Sequence, residues 1–235
     1  MKQLVIIGAS GHGKVVADIA KKIGYDEICF LDDDASLTEC GGYAVIGKSG
    51  RFIDFNCDIF VAIGDPNIRK YFQTQFELHG KTVPTLIHPN ASIAENVQIG
   101  NGTLVVAGAV INPGVRIGKG CIINTCSSVD HDCVVGDYVH IAVGSHLCGT
   151  VTVGNGTWIG AGATVSNNVS ICSDCMIGAG GVVVNDIQES GTYVGVPARR
   201  IDMEKKSVKN AEGGVSRRIV YHKISVQLSI SGRAA

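Results

Sequence analysis

The chain has no surplus of charge. Its 235 residues carry 20 Lys and Arg against 21 Asp and Glu, so it has no cationic excess to neutralise nucleic-acid phosphates or anionic lipid heads. It also lacks a long apolar run. No stretch approaches the roughly eighteen residues of a membrane span, and Leu4 to Ile7 is too short for the apolar core of a signal peptide. A cytoplasmic protein with neither nucleic-acid nor membrane partners is expected. Nine cysteines, an odd number, are scattered through apolar segments, which favours reduced thiols over a disulfide framework. The single C-x-x-C, Cys172 and Cys175, has no second pair or suitably spaced histidines to complete a zinc site, and no metal is expected.

Glycine, by contrast, is abundant. Its 31 residues point to a chain of turns and close backbone approaches, and the second half shows how they are spent. Every sixth residue from Ile87 through Ile93, Ile99 and Val105 to Val183 is aliphatic, seventeen in succession. Chance would produce this about once in 10⁸, taking an aliphatic residue at one position in three. Four residues after each stands a small or β-branched residue, from Ala91 and Val97 to Cys175 and Gly181. Three sixes make a triangular coil whose faces stack as parallel strands, so residues eighteen apart become neighbours at about 4.8 Å. Glycines directly after the aliphatics, such as Gly100, Gly118 and Gly136, are expected at corners with unusual backbone angles.

The first eighty residues read as a small parallel α/β domain. Leu4 to Ile7 is a strand, Gly8 to Gly13 a loop and Lys14 to Ile23 a helix. Further strands cover Glu27 to Leu31 and Asp58 to Ile63, and a helical pattern runs through Leu78. The expected division is 1–85 for the α/β domain, 86–186 for the coils and 187–235 for a C-terminal segment. Within that last segment, 202–235 has no assigned role, although Ile224 to Ile230 alternates like a strand.

The loop Gly8-x-x-Gly11-x-Gly13, between a strand and a helix, suits phosphate approach by backbone N–H groups. Gly13-Lys14 resembles a P-loop, but Val15 stands where a magnesium-binding hydroxyl is needed. Asp32, at the end of the second strand, is placed to take a ribose or base. In the coils, polar groups gather at Asp130-His131-Asp132, His140 and His146, and no Lys or Arg occurs between Gly120 and Asp186. A histidine flanked by carboxylates suits general base catalysis. His131 follows Val129 by two and Gly149 follows Leu147 by two, so the pair should stack, with the Gly149 N–H near a developing oxyanion. Cys133 occupies an inward position and reads as packing.

Taken together, these segments resemble a known family. The motifs are Gly8-Ala-Ser-Gly-His-Gly-Lys-Val, Phe30-Leu-Asp-Asp, Ala62-Ile-Gly-Asp, the six-residue repeats, Ser128-Val-Asp-His-Asp-Cys-Val-Val-Gly, His140 and Gly195-Val-Pro-Ala-Arg. They are similar to the bacterial sugar acetyltransferases related to sialic acid O-acetyltransferase, above all to N-acetyltransferases of UDP-4-amino-4,6-dideoxy sugars. The likeness spans residues 1 to about 201. It implies a Rossmann-like α/β domain followed by a left-handed parallel β-helix, assembled as a homotrimer with acetyl-CoA between neighbouring helices.

The same likeness implies roles for individual residues. His131 matches the general base, Asp132 its acidic neighbour, Asn124 a polar neighbour of the base and Gly149 the oxyanion donor. His140, Gly149, Ala161 and Ala179 match the acetyl-CoA side. Gly8, Ser10, Gly11, His12, Gly13, Asp32, Asp33 and Asp65 match the UDP-sugar side. The expected activity is acetyl transfer to the 4-amino group of a UDP-sugar in bacterial glycan biosynthesis. O-acetylation of a sialic acid is the alternative within the same class. A zinc carbonic anhydrase on a similar helix would need three converging histidines, and a non-catalytic sugar-nucleotide sensor would bind both ligands without turnover.

Overall fold

The computed structural model describes residues 1–201 together with the short strands Val208–Lys209 and Val215–Ser216. Residues 1–201 form one compact unit. The two short strands belong to a second and pair with each other antiparallel. The strand-like stretch 224–230 lies outside the described residues.

The chain opens with strand β1 (Gln3–Ile7), helix α1 (Gly11–Lys22) and strand β2 (Glu27–Leu31). A hairpin of β3 (Glu39–Cys40) and β4 (Tyr43–Ala44) follows, then a 3-10 turn over Ser49–Asp54. Strand β5 (Asp58–Val61) and helix α2 (Pro66–Leu78) complete the domain. The parallel order is β2-β1-β5. Strand β5 stops two residues before Ile63. Helix α1 starts at Gly11, three residues before the sequence places it, so half of the expected loop is helical. The cause is local: a Cβ on Gly13 would lie 2.9 Å from the Phe30 ring and closer still to the Gly8 carbonyl. Without that side chain the first helical turn seats directly on the ends of β1 and β2.

From Leu86 onward the chain winds as a parallel β-helix with three faces. Face I stacks Ser92–Ile93, Val110–Ile111, Ser128–Val129, His146–Leu147, Thr164–Val165 and Val182–Val183. Face II runs from Gln98–Ile99 to Ser170–Ile171, and face III from Leu86–Ile87 through His140–Ile141 and Trp158–Ile159 to Cys175–Ile177. Face III is closed by Gly191–Val194 and an antiparallel Arg199–Ile201. The register between coils is eighteen residues, as in Ser128 against His146 and Val129 against Leu147. The repeating aliphatics from Val105 to Val183 all lie in one buried core. Its few polar members are satisfied: Ser127 and Ser145 donate to the Asn124 and Ala142 carbonyls at 2.7 Å.

The reason for the glycines after the aliphatics differs from the expected one. Gly100, Gly118, Gly154 and Gly160 have no left-handed angles; a Cβ there would run into the backbone of the next coil, at 2.6 Å from Gly118 in the case of Gly100. The left-handed residue is instead the third after each aliphatic, every sixth position from Asn96 to Gly180 without a gap. Asp132, at φ 59°, is one of the non-glycine residues placed there.

The α/β domain sits on the outer side of face III. Val16, Ala17, Phe30, Leu86, Leu104 and Ile122 share a core. This cover extends over the early coils, and the next outward residues of the face are His140 and Trp158.

Candidate active site

The corner between faces I and II carries the first cluster. There the Asp130 carboxylate accepts from the His131 backbone N–H at 2.8 Å and from the Asn112 side chain at 2.7 Å. The left-handed backbone of Asp132 turns its carboxylate back onto His131, with Oδ2 2.9 Å from Nδ1. That contact leaves Nε2 as the outward nitrogen. It also raises the His131 pKa above the ordinary 6.5, the bond to Asp132 being the main cause and the nearby Asp130 charge the next. The ring lies over Gly149, one coil on: a Cβ at Gly149 would stand 2.5 Å from His131 Nε2. Among the described residues the Gly149 N–H donates no hydrogen bond. A basic nitrogen thus stands over a residue whose N–H has no partner.

The outer side of face III carries the second cluster. His140 is 7% exposed and its ring packs on Trp158 with centroids 4.2 Å apart. Asn124 Nδ2 lies 3.2 Å from His140 Nε2. Burial, then the charges of Arg69 and His12, hold the His140 pKa down at about 3. His12, in the first turn of α1, is likewise held at about 4 by burial and by Arg69. Both rings are neutral near pH 7, and His12 Nε2 and His140 Nδ1 are buried without a partner among the described residues. Gly64, after β5, approaches the Trp158 indole. This brings the end of the α/β sheet against the same residues.

The expected members of the site therefore divide. Asn124 touches His140, not His131. The faces follow one another in the order I, II, III, so the I/II corner is the one opposite face III on the triangular section. His131, Asp132 and Gly149 stand on one side of the helix, and His140, Asn124 and His12 on the other. Ala161 and Ala179, both exposed, lie one coil apart on the corner between faces III and I. His146 is bonded to Ser128 at 2.8 Å on the outer side of face I, and among the described residues it has no hydrogen bond to either cluster.

On the α/β side, Gly8 adopts φ 103° and Ser10 precedes α1 with no side-chain cap. The N–H groups of Gly11, His12 and Gly13 begin that helix, the arrangement in which a helix start meets an anion. Asp32 closes the loop by accepting from the Ala9 N–H at 2.7 Å. Asp33 takes the N–H and hydroxyl of Ser49 at 3.0 and 2.8 Å. Asp65 caps α2, accepting from the N–H groups of Asn67 and Ile68 at 2.8 and 3.1 Å. Each of these carboxylates thus has an internal partner. Among the described residues no three His, Cys, Asp or Glu side chains cluster as metal ligands would, and no helix is long and apolar enough to cross a membrane.

Two residues of the second cluster do not stand out in the sequence. Trp158 could have been placed by the period, since it is eighteen residues after His140. Arg69 could have been placed by its spacing on α2, where Arg69, Gln73 and Phe76 are the buried positions of one helical face.

Comparison with known proteins bears on both halves. Residues 3–76 match the PglD N-terminal domain family. The chain is 33% identical over 114 residues to UDP-N-acetylbacillosamine N-acetyltransferase of Bacillus subtilis, a match covering 46% of this chain and 52%, about half, of that protein. The acetyltransferase domain of PglB from Neisseria gonorrhoeae, solved with acetyl coenzyme A, superposes with a TM-score of 0.83 at 39% identity, over 85% of this chain and 99% of that one. A mutant of perosamine N-acetyltransferase from Caulobacter crescentus, solved with CoA and GDP-perosamine, gives 0.83 at 36% identity, over 86% and 98%.

Proposed function

The chain belongs to the acetyl-CoA-dependent sugar N-acetyltransferases of the six-residue-repeat β-helix type, and we propose that it moves acetyl from acetyl-CoA to the 4-amino group of a UDP-linked 4-amino-4,6-dideoxy sugar in bacterial glycan biosynthesis. The observation that carries this reading is the His131–Asp132–Gly149 corner. The sugar amine attacks the thioester carbonyl while His131 Nε2 takes the amine proton, and Asp132 on Nδ1 steadies the imidazolium. The unused Gly149 N–H receives the tetrahedral oxyanion. Collapse of that intermediate breaks the C–S bond, and the CoA sulfur takes the proton held on His131 Nε2 and leaves as the thiol, which restores the neutral base.

The donor lies along the corner formed by Ala161 and Ala179, where small side chains leave room for pantetheine, with its thioester near His140 and Asn124. The acceptor's nucleotide rests against Gly8 to Gly13 with Asp32, Asp33 and Asp65 around it, and its sugar reaches toward Gly64 and Trp158. The two clusters lie on opposite sides of one β-helix, so a complete site needs the corner of one chain against face III of another. A closed ring of three chains supplies three such sites. A cytoplasmic setting suits both co-substrates and the nine unpaired cysteines.

The test is CoA release from acetyl-CoA with a panel of UDP- and GDP-linked 4-amino sugars and free sialic acid. Turnover confined to the UDP-amino sugars supports the reading. Turnover with sialic acid alone replaces it with O-acetylation.

A further inference from the structure

Among the described residues Arg69 is the largest fully buried side chain, at 1% exposure. Burial lowers its pKa only to about 10, so it remains a cation at neutral pH. A buried cation is costly unless its N–H groups are taken up, and among the described residues Arg69 forms no ion pair. Its partners are four backbone carbonyls. Nη1 donates to Ile63 and Gly64 at 3.0 and 2.8 Å, Nε to Gly120 at 2.6 Å and Nη2 to Tyr138 at 2.7 Å.

Those carbonyls come from two places. Ile63 and Gly64 form the turn between β5 and α2, beside Trp158. Gly120 and Tyr138 are equivalent corner residues on consecutive coils, eighteen apart, and Tyr138 is two residues before His140. One planar fork therefore joins the acceptor-side turn to the coils that bear Asn124 and His140. A leucine or methionine would pack there without burying a charge, but neither would fix the angle and distance between the two parts as four directed bonds do.

We propose that Arg69 is a positioning residue for acetyl transfer, whose guanidinium holds the Gly64 turn in register with the coil carrying His140. The inference rests on the acetyl-transfer reading above. A second consequence follows from the charge: burial first, and this cation after it, oppose protonation of His12 and His140, so both rings stay neutral hydrogen-bonding groups, His12 at the acceptor-side helix start and His140 near the donor thioester.

The test compares full-length wild type, Arg69→Lys and Arg69→Met in steady-state assays, with KM measured separately for acetyl-CoA and for the sugar nucleotide that the wild type acetylates. Lysine keeps the charge and loses the fork; methionine loses both. Both variants are expected to raise the acceptor KM about tenfold and leave the acetyl-CoA KM within about twofold. A role in folding alone would lower apparent kcat by reducing the active fraction, with both KM values unchanged, and that result overturns the proposal. So does a wild-type acceptor KM in either folded variant, or failure of both variants to fold. A wild type that acetylates no amino sugar would instead count against the function proposed above.

Discussion

The imidazole of His131 lies over the backbone of Gly149, eighteen residues later, with no room for a side chain between them: a Cβ there would stand 2.5 Å from Nε2. Gly149→Ala should therefore push the ring off its place without disturbing the buried aliphatic ladder. A fall in kcat of about tenfold or more is expected, with thermal stability nearly unchanged. Wild-type kcat in a folded Gly149→Ala protein would show that the contact has no part in turnover.

Loss of the proposed base, His131, should be more severe. His131→Ala is expected to lower kcat by about 10² or more while leaving acetyl-CoA affinity in place, since it removes proton acceptance and not binding. An activity within about threefold of wild type would exclude His131 as the base.

Asp132 is the main cause of where His131 titrates. It raises the His131 pKa above 6.5, and a base works only when deprotonated. Activity should therefore fall as pH drops through a midpoint above 6.5. Asp132→Asn removes the main cause of the raised pKa, so the acid limb of kcat/KM should move to lower pH, with kcat reduced less than in His131→Ala. An unmoved acid limb would separate Asp132 from the titration of the base.

His12 and His140 govern stability in acid. In the folded protein they take protons only at about 4 and about 3, whereas in the unfolded chain both do so near 6.5. Between those values the unfolded state binds more protons, and stability falls as pH falls, by about 1.4 kcal/mol per pH unit for each ring. Urea unfolding at pH 7.5, 6.0 and 5.0 should show this loss, and His140→Gln should make it shallower. A wild-type midpoint that does not change over that range would contradict the buried, neutral assignment.

The β-helix was legible because its physics is periodic. A coil of eighteen residues repeats every inward contact, so one phase of aliphatics predicts the core, and the same count predicts that His131 meets Gly149. The α/β strands were legible as short apolar runs between turns. What the sequence did not reveal were contacts without a period. The bonds of Arg69 to Gly120 and Tyr138 span 51 and 69 residues, and an arginine within Pro66–Leu78 reads on its own as a solvated residue. In the sequence Gly11 and Gly13 read as loop formers, while the close seating of Gly13 on Gly8 and Phe30 favours helix from Gly11. The resemblance pairs Asn124 with His131, whereas face order within one chain sets it beside His140.

The division between the two clusters allows the most direct test of the account, that each site is built from two chains. His131→Ala spoils only the I/II corner, and Ala179→Trp only the groove between faces III and I. In a ring of three, any mixed trimer of these chains retains one site with an intact corner facing an intact groove, so it should show about one third of wild-type activity although each parent has almost none. The measurement is CoA release from mixed trimers isolated with two affinity tags, their mass being near three times 24.5 kDa by light scattering. Recovery near one third is the predicted result. No recovery in demonstrably mixed trimers, or full activity in a monomer, would contradict it.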